Sequence, residues 1–265
     1  AFSLFNGFGT HLTINVLDYD FIINHSDNLS LPFAIVFHIA AFITIIYGSH
    51  KDDWKENLAV ISYAGAAIAA LHAGDLFTLF FWWEATAFTS VFLILGGNTT
   101  RSYRAAFRYI VIQVGSGMFL LAGAVLFLYS NGNALLGQMS IDDISGLLIF
   151  LAFGIKAAFP FLNGWLQDTY PEASEVGTVA LSSFTTKLAI YALARSFAGT
   201  DILIYIGALM TFFPIFFAVI ENDLRRVLAY SLNNQLGFMV VAVGIGTELA
   251  INGAVAHAFA HIIYK

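Results

Sequence analysis

Apolar residues run along the chain in long blocks separated by short polar gaps. Nine apolar spans can be drawn, at about 31–49, 57–73, 75–97, 105–129, 146–166, 176–195, 201–220, 227–245 and 248–265. A helix of about 19–20 residues rises roughly 28–30 Å, enough to cross a hydrocarbon core. Most spans are apolar all round, as expected of helices in lipid, so their period separates no faces. A membrane barrel would instead alternate in segments of about ten residues. The pattern predicts an all-α polytopic membrane protein, with a transmembrane helical domain over 31–265. The 57–73 span is short and rich in Ala and Gly, which predicts close packing against neighbours. For residues 1–30 a plain ordered loop is expected, with the apolar residues around Asp18 and Asp20 at the interface as the alternative.

Composition sharpens this picture. The chain is 59% hydrophobic and 11% charged, against about 25% charged in soluble domains. It has no cysteine, which excludes disulfides, thiolate metal sites and cysteine nucleophiles. The net charge of −6 is scattered and points to no nucleic-acid partner. No nucleotide loop, cofactor motif or nucleophile with a base is visible, so no cofactor is expected and a soluble enzyme is not indicated. The sequence starts at Ala1 and ends at Lys265 inside an apolar run, which suggests a piece of a longer protein.

Lysines and arginines set an expected orientation. With the first span running outside to inside, the inner loops and their flanks hold Lys51, Lys55, Arg101, Arg104, Arg108, Arg225 and Arg226. The outer segments hold only Arg195, which fits the positive-inside rule. Residues 1–30 are then an extracytoplasmic segment. The loop QDTYPEASE falls inside yet is acidic.

The remaining basic residues, Lys156, Lys187 and Lys265, lie within spans, as does Glu84. A charge at a helix centre costs about 2.5–3.5 kcal/mol, so such groups normally face the bundle interior and mark ion or proton pathways. Lys156 and Lys187 fall near the middles of consecutive antiparallel spans, and Glu84 lies close to that depth on a third. A carboxylate about 4 Å away, at an effective dielectric near 20, is worth about 4 kcal/mol to a lysine. A partner that comes and goes would let the lysine bind and release a proton. The plainer alternative is a structural ion pair of Glu84 with Lys156, for which Lys187 is superfluous.

Pro160 removes a helix hydrogen bond and clashes with the carbonyl of Lys156. With Gly154 and Gly164 it predicts a helix broken beside the lysine, its carbonyls free for water or a cation, or else a mere kink. In HAFAHIIYK, His257, His261 and Lys265 recur at i, i+4 and i+8 on one helical face, a candidate proton wire. Ala258 stands where a zinc hydrolase would need glutamate, so no metal site is expected. His72 with Asp75, in a tight HAGD link, is a candidate contact with a proton exit. Trp82 and Trp83 read either as an interface belt or as packing around the ion pair. Asn233, Asn234 and Gln235 either bond between helices or line a water path.

The stretches LFFWWEATAFTSVFLI, GIKAAFPFLNGWLQDTYPEAS, LRRVLAYSLNNQLGF and HAFAHIIYK resemble the proton-translocating antiporter family. That family comprises the large Mrp-type Na+/H+ antiporter subunits and the antiporter-like membrane subunits of respiratory complex I. The resemblance runs from about residue 31 to the end and is strongest to D-type Mrp subunits. SSFTTKLAIYALAR, with Lys187, suits D-type and some complex I subunits, whereas SLNNQ departs from the serine-rich complex I pattern. The resemblance implies a roughly 14-helix fold with two inverted five-helix repeats, of which this chain holds the third to eleventh helices, the second repeat cut short. It implies that Glu84 is the essential glutamate, Lys156 the broken-helix lysine, Lys187 the next axial lysine, and His257, His261 and Lys265 the later stripe. The implied function is exchange of Na+ or another monovalent cation for H+ across a bacterial cytoplasmic membrane, within a hetero-oligomer of membrane subunits. The alternative is a proton-pumping subunit of complex I or a related redox complex, with no redox site of its own. A third possibility is a purely structural membrane subunit whose charges lock helices together.

Overall fold

The computed structural model describes residues 7–16, 19–50 and 53–265; Asp18 and Lys51 lie outside them. The chain opens with an antiparallel hairpin, β1 (Gly9–Val16) and β2 (Tyr19–Ser26), paired with Thr13 opposite Ile22 and Val16 opposite Tyr19. The expected loop is therefore a hairpin. The alternation in THLTINV is the local signal, since a strand sends successive side chains to opposite faces. β2 docks on the HAGD link. Its Ile22 carbonyl accepts Gly74 N–H at 3.0 Å, and His25 N–H donates to the His72 carbonyl at 2.8 Å.

Helices follow: α1 (Ser30–Gly48), α2 (Trp54–Leu71), α3 (Leu76–Leu95), α4 (Thr100–Asn131), α5 (Ile144–Lys156), α6 (Gly164–Thr169), α7 (Glu175–Ser183), α8 (Thr185–Ser196), α9 (Ile202–Ile220), α10 (Leu224–Ile245) and α11 (Glu248–Tyr264). Short polar residues start them. Asp53, Asp75, Thr99, Ser174, Asp223 and Thr247 each accept first-turn N–H groups, as N-caps should. Among the described residues six helical segments are long and apolar enough to cross a membrane: Ser30–Gly48, Leu76–Leu95, Thr100–Asn131, Glu175–Ser196, Ile202–Ile220 and Leu224–Ile245. The other three expected spans become α2, the 13-residue α5 and the 17-residue α11.

Two spans are interrupted. The 146–166 span ends as a helix at Lys156, and the 176–195 span breaks at Phe184. Nothing in the sequence pattern predicts the second break. Burial ranks the helices: 83% of the Glu175–Ser196 window is buried against 22% of Ile202–Ile220. The broken helix is thus the hub, and Phe-rich α9 faces outward. α2 packs closely, as its small residues predict, with Ala59, Ala64, Ala66, Ala67 and Ala70 buried.

The acidic 167–175 loop finds its cations. Asp168 meets Arg108 at 3.2 Å, Glu175 meets Arg225 at 3.8 Å, and Arg225 also donates to the Ala173 carbonyl at 3.1 Å. These are surface pairs, worth little individually, but they explain acidic residues beside the basic ones.

At the opposite end the hairpin is clamped. Asp75 caps α3 through Phe77 and Thr78 N–H, and also accepts Ile22 N–H at 2.7 Å. Asp27 caps α1 through Ser30 N–H at 2.8 Å and pairs with Arg195 at 2.8 Å. Burial alone would raise the Asp27 carboxyl, but the Ser30 amide and the Arg195 guanidinium outweigh it and hold its pKa below the usual carboxylate value. A carboxyl so held stabilises above its unfolded pKa of about 3.9 and loses that contribution as pH falls through the lower folded value. Protease access to the hairpin should therefore be flat from neutral pH to about pH 4 and rise below it. Asp27→Ala should raise access already at neutral pH and lower thermal stability by about 1–3 kcal/mol, because Arg195 loses its partner. Limited proteolysis across pH and a melting curve check both.

Candidate functional site

Lys156 is the last residue of α5 and has no exposed surface. The helix ends there because the chain turns left-handed at Ala158, with φ 62°. Phe159 N–H reaches back to the Gly154 carbonyl at 2.9 Å and Ala158 N–H to Ile155 at 3.1 Å. That is a Schellman stop, with Pro160 just beyond it. Gly154 lets the Phe159 ring fold against the helix, since a Cβ there would strike it. The break is where the sequence predicts, but these carbonyls are not free for an ion. Trp165 Nε1 takes a second bond to Ile155 at 2.9 Å. Gly164 serves as the first residue of α6.

The Lys156 ammonium crosses to α3. It donates to the Trp83 carbonyl at 2.7 Å and the Thr86 hydroxyl at 2.8 Å, and sits 4.1 Å from the Trp83 ring centroid. An ammonium over a desolvated indole face gains on the order of 2 kcal/mol. Trp83 is itself fixed, its Nε1 donating to Ser116 at 3.0 Å, and Ser116 donates to the Ala152 carbonyl at 2.8 Å. Trp83 is thus packing around the lysine and not an interface belt.

Glu84 does not form the expected close ion pair: among the described residues no carboxylate lies within 4.0 Å of Lys156. It remains the charge that acts on Lys156 electrostatically. Its Oε1 is buried without a hydrogen-bond partner among the described residues. The carboxylate lies over Gly117 of α4, where a Cβ would overlap it.

Lys187, on α8, also has no exposed surface. Its ammonium donates to the Ser182 carbonyl at 2.5 Å. Lys265, His257 and His261 lie within its electrostatic reach. His257 Nε2 meets Gln235 Oε1 at 2.9 Å, Gln235 bonds Asn234 at 3.1 Å, and Asn234 donates to the Thr211 carbonyl at 2.6 Å. His257 and His261 rings are 6.3 Å apart, and both His261 nitrogens are buried without hydrogen-bond partners among the described residues. Lys265 lines a cavity of ≈200 Å³ with Ser182, Tyr170, Glu175 and Arg225.

The expected residues therefore gather in two groups, Glu84 with Lys156 and Lys187 with the α11 stripe. His72 and Asp75 stand apart under the hairpin. His72 faces Ser26 at 3.2 Å, and Asp75 is engaged by two caps, Ile22 and the Thr78 hydroxyl. Sequence reasoning missed Thr86, Ser116, Gly117 and Ser182. The small residues of VGSG in an apolar helix were the available signal for two of them.

Fold and site define a multi-pass membrane bundle with charges buried along its interior. The chain belongs to the NADH:quinone oxidoreductase/Mrp antiporter transmembrane family, whose model matches residues 73–265. Among curated relatives it is 31% identical to the D subunit of the Na+/H+ antiporter of Alkalihalophilus pseudofirmus, over 74% of this chain and 44% of that protein. It is 26% identical to the M subunit of the NADH-quinone oxidoreductase of Escherichia coli K12, over 89% of this chain and 52% of that protein. The chain thus spans about half the length of these relatives. A chain in the Mrp complex of Dietzia sp. DQ12-45-1b superposes with a TM-score of 0.83 at 22% identity, over 91% of this chain and 49% of the other. One in respiratory complex I of Thermus thermophilus gives 0.76 at 20%, over 95% and 59%.

Gly117→Ala should push the Glu84 carboxylate, the far end of a flexible side chain, from its place at a small cost to stability, about 1 kcal/mol or less, since alanine favours the helix. Adding Glu84→Ala should recover part of that loss, because the clash is between these two residues. Thermal melts of the single and double variants check it.

Proposed function

We propose that the chain is the proton-handling part of a monovalent cation/H+ antiporter subunit, which works with other membrane subunits to exchange Na+ for H+ across a bacterial cytoplasmic membrane. One observation carries this reading: among the described residues, two lysines without exposed surface hold neutral acceptors instead of a close carboxylate. A purely structural pair would neutralise its charge, since a buried unpaired ion costs several kcal/mol. An ammonium on a carbonyl and a hydroxyl can give up its proton and leave both oxygens satisfiable. In this reading Glu84 tunes Lys156 through the field, and the proton passes by way of Lys187 to His257, His261 and Lys265. The likeness to the D subunit of an Na+/H+ antiporter supports it.

A second reading, a proton-pumping subunit of a redox complex, is favoured by the longer match to a membrane protein of a quinone oxidoreductase. Inside-out vesicles from an antiporter-deficient bacterium, carrying the full-length subunit with its partners, separate the two. NaCl should collapse a respiratory pH gradient with wild type, followed by a pH-sensitive dye. Lys156→Ala should assemble equally and abolish the response. No response from assembled wild type would favour redox-driven pumping instead.

A further inference from the structure

Lys187 owes its acceptor to the break at Phe184. In an unbroken helix the Thr185 N–H would bond the Leu181 carbonyl, and the Ser182 carbonyl would accept from Thr186 N–H. A residue five positions on lies about 140° round an unbroken helix, out of reach of that carbonyl. The bonds from Phe184 N–H to Ala180 at 3.3 Å and from Leu188 N–H to Phe184 at 2.9 Å bracket the interruption. Between them Thr185 N–H leaves the helix and donates to the Tyr63 hydroxyl at 3.0 Å. The Thr185 and Tyr63 hydroxyls also bond one another.

Tyr63 comes from α2, 122 residues away in the chain. It is fully buried, its ring edge-on to Phe184 at 5.3 Å. The break is further enclosed by α5 and α10, which pack on α8. Helix distortions arise where a side chain enters the backbone ladder, and Tyr63 is the side chain that does so here.

We propose that Tyr63 is a positioning residue for Lys187: its hydroxyl takes the Thr185 amide, holds the helix open, and so turns the Ser182 carbonyl to the buried ammonium. This rests on the reading that Lys187 carries protons. Tyr63 touches no transported ion and acts only through the break.

Three variants of the full-length subunit, assembled with its partners, test this. Exchange is read per assembled complex, together with the half-saturating Na+ concentration. Tyr63→Phe keeps the ring and loses the hydroxyl. It should lower the maximal rate on the order of 10-fold or more, with half-saturation unchanged. Tyr63→Phe with Thr185→Pro should regain most of the rate, because proline has no N–H to satisfy and is favoured at a first helical position. A residue that merely packed would not be rescued this way. Wild-type exchange in Tyr63→Phe, with Lys187→Met inactive, would overturn the positioning role and leave the pathway reading standing. Wild-type exchange in Lys187→Met would overturn the pathway reading and the positioning role with it. Should Tyr63→Phe fail to assemble, the Thr185→Pro pair decides: recovered assembly and exchange supports the proposal, and a pair that stays unassembled overturns it.

Discussion

An ammonium with no exposed surface needs acceptors, and inside a helix bundle the backbone carbonyls already serve their own helices. Much of the interior follows from how this chain meets that constraint twice. Lys156 reaches the Trp83 carbonyl, which keeps its place in α3 and also takes the Thr86 hydroxyl. Lys187 takes the Ser182 carbonyl at an interrupted helix. One site borrows an acceptor from an intact helix, the other from a broken one. Among the described residues both avoid a close carboxylate, so neither charge is locked by an opposite one there.

The supporting structure is shaped around these two demands. α5 stops at Lys156, which puts the ammonium at a helix end and frees it to lean on α3. Trp83 is held from two directions, by Ser116 and by the Phe153 ring at 5.2 Å, so the aromatic face under the ammonium cannot drift. The Phe184 break sits in the most buried helix of the bundle, where three other helices brace it. Breaks of this kind are tolerated at membrane depth only when protein encloses them, and the hub position supplies that enclosure.

The helices were legible because bilayer thickness and composition fix them. Spans 31–49 and 201–220 match Ser30–Gly48 and Ile202–Ile220 to within a residue or so. The stop at Lys156 was legible from Pro160, although its mechanism is a left-handed turn at Ala158. The break at Phe184 was not, because SSFTT carries neither proline nor glycine and the agent is a tyrosine on a distant helix. The charged residues stood out by their cost in lipid. Their neutral partners did not, since Thr86, Ser116 and Ser182 look like ordinary small residues of membrane helices. The hairpin was not legible because two strands of eight residues stand out little beside long apolar blocks.

The clamp between Asp27 and Arg195 joins residues 168 positions apart. At roughly 5–20 residues per second, the ribosome needs about ten to thirty seconds to reach the second after making the first. The hairpin, which also docks on the HAGD link, is thus complete long before this second anchor exists. The HAGD link holds it first, through residues 72–75, and the Asp27–Arg195 pair is added only when α8 arrives. That pair therefore forms only once the hub helix is in place, and it marks the difference between a half-built bundle and one whose interior is closed.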